Sequence, residues 1–349
     1  MALDQDILFE RRGAIGLVTL ICSATRNAMT REMCVSMQAR LDDWVGDGKV
    51  EAVVVQGAAD HSFGIGYDIL NHHASMEENR CRVLDFCCHA FRLAATIKHY
   101  PKPYIALVGG NIFGAGAAIS VNGQFRVADE TASFAVPETG FGLVPLMGAS
   151  HFLPGVYDGP EIGLYLALTG TRLTIADVYH EEIATNFVAR NNRYTLIERL
   201  AKGETVGQAC LALATPLPDT FAPDNREAIE RVFAAASIEE ILASLEAEGS
   251  DWAHQTAVTI RSKSPTSTKL ALRLAREGAR LDFDDCLRME WRALNRILLG
   301  HDYCEGVRVT IVGKNEVPEW RPKGLEAVSD ADIDAYLKPL EEGDLRLCG

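Results

Sequence analysis

The sequence contains no apolar run close to the roughly 20 residues that a membrane-spanning helix needs, and it has no surplus of positive charge. With 48 acidic residues against 34 basic ones, the net charge is −14. A nucleic-acid duplex would be repelled on average, and no local basic patch offsets this, so neither a nucleic acid nor a membrane is expected as a partner. A small anionic ligand stays within reach, because a few Arg or Lys and helix N-termini suffice for one. No CxxC occurs among the nine cysteines at 22, 34, 81, 87, 88, 210, 286, 304 and 348. Their odd number and scattered spacing predict buried free thiols rather than disulfides or a structural zinc. The opening residues MALDQDILFERR carry acids early and lack both a basic stretch and an apolar core. They read as neither a secretory signal nor an Arg-rich transit peptide, and a cytoplasmic setting is expected.

Three common catalytic signatures are also missing. There is no GxSxG elbow for a serine nucleophile. A dinucleotide fingerprint across Gly114 and Gly116 would need a glycine where the chain has Ile119. His72, His73, His89, His99 and His151 lack metal-ligand spacing, so no metal is expected. What is present is ordinary globular composition, 48% hydrophobic and 23% charged over 349 residues, enough for a full core.

Short β runs alternate with helical patterns in the first half. Ala14–Ile21, Ala52–Val55, Tyr104–Val108, Phe125–Ala128 and Ser133–Val136 read as strands, while Thr30–Trp44 and Arg82–Ile97 have helical periodicity with Thr30 as N-cap. This alternation predicts an α/β fold. After Gly159 helical patterns dominate: Glu161–Leu168, Ile175–His180, Thr195–Ala201, Asn225–Glu248, Trp252–Ser262, Ser267–Glu277 and Phe283–Leu299, with a β-like piece at Val307–Val312. The proline-rich stretch Pro216–Pro223 divides an expected core over 1–215 from a mainly helical region over 216–349.

Three segments can carry chemistry together. Ser62–Ile69 (SFGIGYDI) follows one strand and Gly109–Ile119 (GGNIFGAGAAI) another, each a small-residue turn before a probable helix. Such turns expose backbone N–H groups, backed by the positive end of a helix dipole. Two of them facing each other would form an oxyanion hole for a carbonyl gaining negative charge. The third, Phe134–Gly148 (FAVPETGFGLVPLMG), sets Glu138 after a proline in apolar surroundings, where a carboxyl is desolvated and its pKa rises. Taken singly, each turn reads first as tight helix–strand packing, and Glu138 first as a turn cap.

In this order the three segments resemble the enoyl-CoA hydratase/isomerase (crotonase) superfamily. The likeness runs along nearly the whole chain and is similar to its 3-hydroxyisobutyryl-CoA hydrolase branch at NGQFRVADETASFAVPETGFGL (122–143), LALTGTRLTIADVYHEEIATNFV (166–188), SIEEILASLEAEGS (237–250), SKSPTS (262–267), GHDYCEGVRV (300–309) and VPEWRP (317–322). The resemblance implies a spiral of ββα units followed by a helical C-terminal region. It implies an acyl-CoA substrate, with no cofactor beyond the CoA that belongs to the substrate, and is compatible with a homo-oligomer. It implies Glu138 as nucleophile or base, and the backbone N–H groups of Tyr67 and Ala115 as oxyanion donors. Arg26, within Thr25–Ala28, falls with Ile65 and Gly66 in the region that meets CoA, and Gly114 falls in the second turn. Asp68 reads as a helix cap.

Several positions depart from the family pattern. The entry to the CoA segment is LICSAT instead of LNRP, and the first turn carries Gly66–Tyr67 instead of a glycine pair. Leu146 stands where the hydrolases keep an aspartate, and Ala118 where two-glutamate hydratases keep their other acid. With Glu138 alone, thioester hydrolysis is the favoured expectation, ahead of hydration, isomerisation or a catalytically weak CoA-ester binding protein.

Overall fold

The computed structural model describes residues 6–58, 62–67, 76–156, 159–217, 225–311 and 316–347. Strands β1 (Ile7–Arg12), β2 (Ile15–Leu20), β3 (Ala52–Gly57), β5 (Tyr104–Val108), β7 (Phe125–Ala128) and β9 (Asn186–Phe187) form one sheet in the order β1-β2-β3-β5-β7-β9. Only the β1–β2 pair is antiparallel. The very short strands β4 (Gly64–Ile65), β6 (Asn111–Phe113) and β8 (Ser133–Ala135) form a second, wholly parallel sheet in the order β4-β6-β8. Helices α1 (Arg31–Gly46), α2 (Met76–Lys98) and α3 (Gly114–Val121) interleave with them. Each turn of the spiral therefore gives one strand to the large sheet, the next to the small sheet, and then in two turns a helix.

The central strands β2, β3 and β5 are largely buried on both faces, which explains their nearly unbroken apolar runs. Along β3, Val53 and Val55 join one core and Val54 the other. Along β5, Tyr104, Ala106 and Val108 face the helices α1–α3, while Ile105 and Leu107 meet the helix Arg193–Ala201 through Leu196, Ile197 and Leu200. Thr30 caps α1 as expected, its side chain accepting from the Met33 N–H at 3.1 Å.

Beyond residue 187 the described residues are helices and loops. Of the expected β piece at Val307–Val312, residues 307–311 are instead the C-terminal part of a helix, His301–Ile311, and Val312 lies outside the described residues. Val307, Val309 and Thr310 favour strand locally, but tertiary contact overrides this. Gly306 and Gly142 let the helix touch the turn at 138–142 backbone to backbone. A Cβ at 306 would stand 2.2 Å from the Phe141 carbonyl oxygen, and one at 142 would stand 2.3 Å from that of Asp302. The single helix expected over Asn225–Glu248 is two, Arg226–Phe233 and Ile238–Glu248, divided where Ser237 caps the second by accepting from Glu240 N–H. Residues 218–224 of the proline-rich break lie outside the described residues. The core and helical region share one apolar cluster that runs from Ile7 to Leu345.

None of the eight described cysteines forms a disulfide with another, but only Cys34, Cys87, Cys210 and Cys286 are buried; Cys81 is exposed. Among the described residues no helix is long and apolar enough to cross a membrane.

Candidate active site

The small sheet builds the site. Its parallel register aligns Ile65 with Phe113 and Phe113 with Ala135. All three strands thus end at one edge, followed there by Gly66–Tyr67, by Gly114–Ala115, and by Val136–Pro137–Glu138. The carboxyl ends of parallel strands are where ligands bind in open α/β sheets. The first two turns lie against each other because glycine is present: Gly66 (φ 106°) and Gly114 (φ 49°) are left-handed, and a Cβ on Gly114 would sit 2.8 Å from Gly66 Cα. That same point is 3.8 Å from Glu138 Oε1, so the carboxyl faces the paired turns.

A cavity of about 300 Å³ opens at this edge. It is lined by Glu138, Tyr67, Ala115, Arg26, Ile65, Gly66, Gly114 and Leu146. Two larger clefts, about 490 and 690 Å³, lie against the C-terminal helices and include none of these residues.

Glu138 opens a single-turn 3₁₀ helix, Glu138–Phe141, and its carbonyl oxygen accepts from Gly142 N–H and from Leu143 N–H, the latter at 3.0 Å. Its side chain is only partly exposed, and Oε2 is buried with no hydrogen-bond partner among the described residues. Burial pushes the carboxyl up to about 7, so near neutral pH it can take or give a proton.

Ala115 lies in the first turn of α3, where backbone N–H groups have no intrahelical acceptor. Tyr67 stacks its ring on Phe86 at 4.1 Å, which turns the phenol into a wall of the cavity. The segment at 26–29 is tied to the first turn: Met29 N–H donates to Gly66 O at 2.8 Å, and Asn27 Nδ2 to Ser62 O at 2.7 Å. Arg26 and Asn27 hold positive φ values of 51° and 58°, and Arg26 is exposed at the edge. Asp68, His72 and His73 lie outside the described residues. Ala118 is buried within α3 and does not line the cavity.

Sequence reasoning missed two parts of the site. One is the set contributed from afar: Val83, Phe86 and Cys87 on α2, Leu294 on the helix Phe283–Ile297, and Tyr303 on the helix His301–Ile311. The other is Glu290, fully buried, which clamps the turn after Leu146. It accepts from Gly148 N–H at 2.8 Å, Ser150 N–H at 2.8 Å and Ser150 Oγ at 2.6 Å. The clamp supports Met147 in a left-handed conformation (φ 60°) against the cavity, helped by Asn122 Nδ2, which donates to Met147 O at 2.9 Å. A signal existed: Glu290 interrupts the apolar stripe of Phe283, Leu287, Leu294 and Ile297 on its helix.

Among the described residues no group of three His, Cys, Asp or Glu could hold a metal ion. Glu138 is the only carboxyl among the described residues of the lining. The arrangement offers one protonatable acid, adjacent backbone donors and an apolar chamber.

Comparisons with known proteins agree with this architecture. The chain is 36% identical over 353 residues to the mitochondrial 3-hydroxyisobutyryl-CoA hydrolase of Danio rerio, covering 98% of this chain and 92% of that one. It is 32% identical to the protein of the same name from Homo sapiens, covering 98% and 91%. Among solved structures, a carnitinyl-CoA dehydratase from Mycobacterium thermoresistibile superposes with a TM-score of 0.90 at 30% identity, covering 97% of this chain and 98% of that chain. An enoyl-CoA hydratase from Rhodobacter sphaeroides does so with a TM-score of 0.89 at 30% identity, covering 98% and 100%. These likenesses bear out the crotonase-like α/β fold. The enoyl-CoA hydratase/isomerase family model matches residues 15–337, and the chain belongs to that family of acyl-CoA-processing enzymes.

Proposed function

We propose that this chain hydrolyses a short acyl-CoA thioester, and that its relatives' substrate, 3-hydroxyisobutyryl-CoA, is of the class it takes. The observation that carries this reading is the solitary carboxyl: Glu138, with Oε2 unpartnered, is the only acid among the described residues that line the cavity. Hydration of an enoyl thioester is served by two carboxylates acting on one water, whereas thioester cleavage needs one base and a place for the oxyanion.

In the proposed reaction the thioester carbonyl oxygen lies between the peptide N–H groups of Tyr67 and Ala115. Glu138 as carboxylate takes a proton from water while the water oxygen adds to the carbonyl carbon. The electron pair moves onto the carbonyl oxygen. Collapse then breaks the C–S bond, and the CoA thiolate leaves and is protonated. In a covalent alternative, Glu138 itself adds to the carbonyl carbon and expels CoA, and water then opens the resulting anhydride. Label in Glu138 after a single turnover in ¹⁸O water establishes the covalent route with water attacking the glutamyl carbon; attack at the acyl carbon, like the direct route, puts the label in the free acid. Arg26, Ile65 and Gly66 would border the CoA arm, with Gly114 beside the reacting carbonyl and Leu146 against the acyl group.

A second reading, hydration or isomerisation, is favoured by the solved structures that share the fold, which are named as a dehydratase and a hydratase. Mass-spectrometric analysis after incubation with short acyl-, hydroxyacyl- and enoyl-CoA esters decides. Free CoA with the free acid supports hydrolysis. An ester heavier by one water supports hydration, and no product with retained binding leaves a CoA-ester binding protein. The reading uses no cofactor, metal, nucleic acid or membrane. It keeps the cytoplasmic setting expected from the sequence, although the relatives are named mitochondrial, so cell fractionation is its test. Sedimentation reports whether the enzyme works as a homo-oligomer.

A further inference from the structure

Tyr303 reaches the cavity from the C-terminal helix His301–Ile311, which packs directly on the turn that carries Glu138. The residue is 5% exposed. Burial raises its phenol well above the ordinary range, and the Cys87 thiol, itself a lining group, raises it further. It is therefore a neutral hydroxyl on the Cys87 side of the cavity. That hydroxyl makes no hydrogen bond to another described residue, yet it is not among the polar atoms sealed in protein.

Its surroundings make this unusual. Val83, Phe86, Cys87, Val144, Leu146 and Leu294 offer a substrate no strong hydrogen-bonding side chain. Asn111 is already engaged, its Nδ2 donating to Ser62 Oγ and its Oδ1 accepting from Arg172. An unpaired hydroxyl in an apolar wall is costly, and a ligand that pairs with it recovers that cost. A site built around such a group also rejects the analogue that leaves it unpaired.

We propose that the Tyr303 hydroxyl reads a second oxygen on the acyl group, so that the cavity selects hydroxyacyl-CoA thioesters over plain acyl-CoA esters of the same skeleton. The inference rests on the acyl-CoA reading above and adds a residue that determines specificity. Leu146 cannot supply this contact, so recognition comes from the C-terminal helix.

The test is equilibrium binding, which does not need turnover. Hydrolysis-resistant thioether analogues of 3-hydroxyisobutyryl-CoA and isobutyryl-CoA are titrated into wild type and Tyr303→Phe by calorimetry. The wild type should bind the hydroxy analogue about three- to tenfold more tightly, the range of one neutral hydrogen bond. In Tyr303→Phe that ratio should fall to about one. Both ligands are measured on the same folded sample, so partial misfolding cancels in the ratio. Equal affinities in the wild type, or a preference that survives in Tyr303→Phe, would overturn the proposal. Turnover of the true thioesters, assayed separately, judges hydrolysis on its own.

Discussion

Replacing Glu138 by glutamine separates what this carboxyl contributes to catalysis from what it costs the fold. The change keeps the side chain's shape and removes its titration. Burial lifts the carboxyl from its ordinary 4.5 to about 7, so the folded chain holds a proton that the unfolded chain has released. Between those two values the native state binds more protons, and stability falls as pH rises through the window, staying low above it. At about 1.4 kcal/mol per pH unit the full span is about 3 kcal/mol, reduced to roughly 1–2 kcal/mol because the residue keeps some contact with solvent. Glu138→Gln should therefore be more stable than wild type by about that amount at pH 8, with the gap closing near pH 5. Its kcat/KM should fall by about 10²–10⁴, equivalent to roughly 3–5 kcal/mol of lost transition-state stabilisation. In the wild type kcat/KM should climb about tenfold per pH unit below 7 and level off above it, whereas the variant's residual rate should lack that limb. Urea unfolding at pH 5 and pH 8 and a pH–rate profile provide the readouts. Wild-type turnover in Glu138→Gln, or a loss of stability at pH 8, would show that this glutamate only shapes a turn.

Two other substitutions probe the scaffold and the acyl wall. Gly116→Ala places a Cβ 2.4 Å from the Gly64 carbonyl oxygen; it should cost about 1–3 kcal/mol in thermal unfolding and lower turnover by splaying the paired turns. Gly46→Ala, with open space around it, should do neither, and similar losses in both would remove the close approach as the cause. Leu146→Asp should raise activity on 3-hydroxyisobutyryl-CoA relative to isobutyryl-CoA, at a stability cost of a few kcal/mol (about 1–3) from poorly solvated charge. A well-folded variant with unchanged preference would show that this wall does not contact the hydroxyl-bearing end.

How much of this was legible in the sequence follows the length of each feature. Tyr104–Val108 is buried on both faces, and its five apolar residues give its bounds directly. Ser133–Val136 likewise read as a strand, and β8 covers Ser133–Ala135, but β4 and β6 span only two and three residues, too few for any period to register, although they align the catalytic edge. The glycine turns beside them were visible because close backbone approach demands Gly64, Gly66, Gly114 and Gly116 whatever the strand length. β1 escaped notice because both its faces mix apolar and charged residues, Ile7 and Phe9 with Arg11 on one and Leu8 with Glu10 and Arg12 on the other. Tyr303, Leu294 and Phe86 reach the cavity from helices far apart in the chain, and that meeting is a property of the tertiary packing alone. Residues 307–311 show local preference losing to packing: the glycine contact at 306 fixes a helix that the valines oppose.

Glu138 and Glu290 show why a shifted carboxyl does not identify a catalyst by itself. Burial pushes both up to about 7. Glu290 is met by three donors, two backbone N–H groups and a serine hydroxyl, which use both oxygens and leave no room for a reactant. Removing it would strand those donors and release Met147 from the cavity wall, so its effect on catalysis would pass through shape. Glu138 has one oxygen without a partner and a cavity in front of it. Glu290 has given its hydrogen-bonding capacity to the fold, while Glu138 has kept it for a substrate. The free energy spent on keeping Glu138 unpartnered in a half-dry site is recovered only when a reacting water or thioester carbon completes its surroundings, and that is what distinguishes a reagent from a strut.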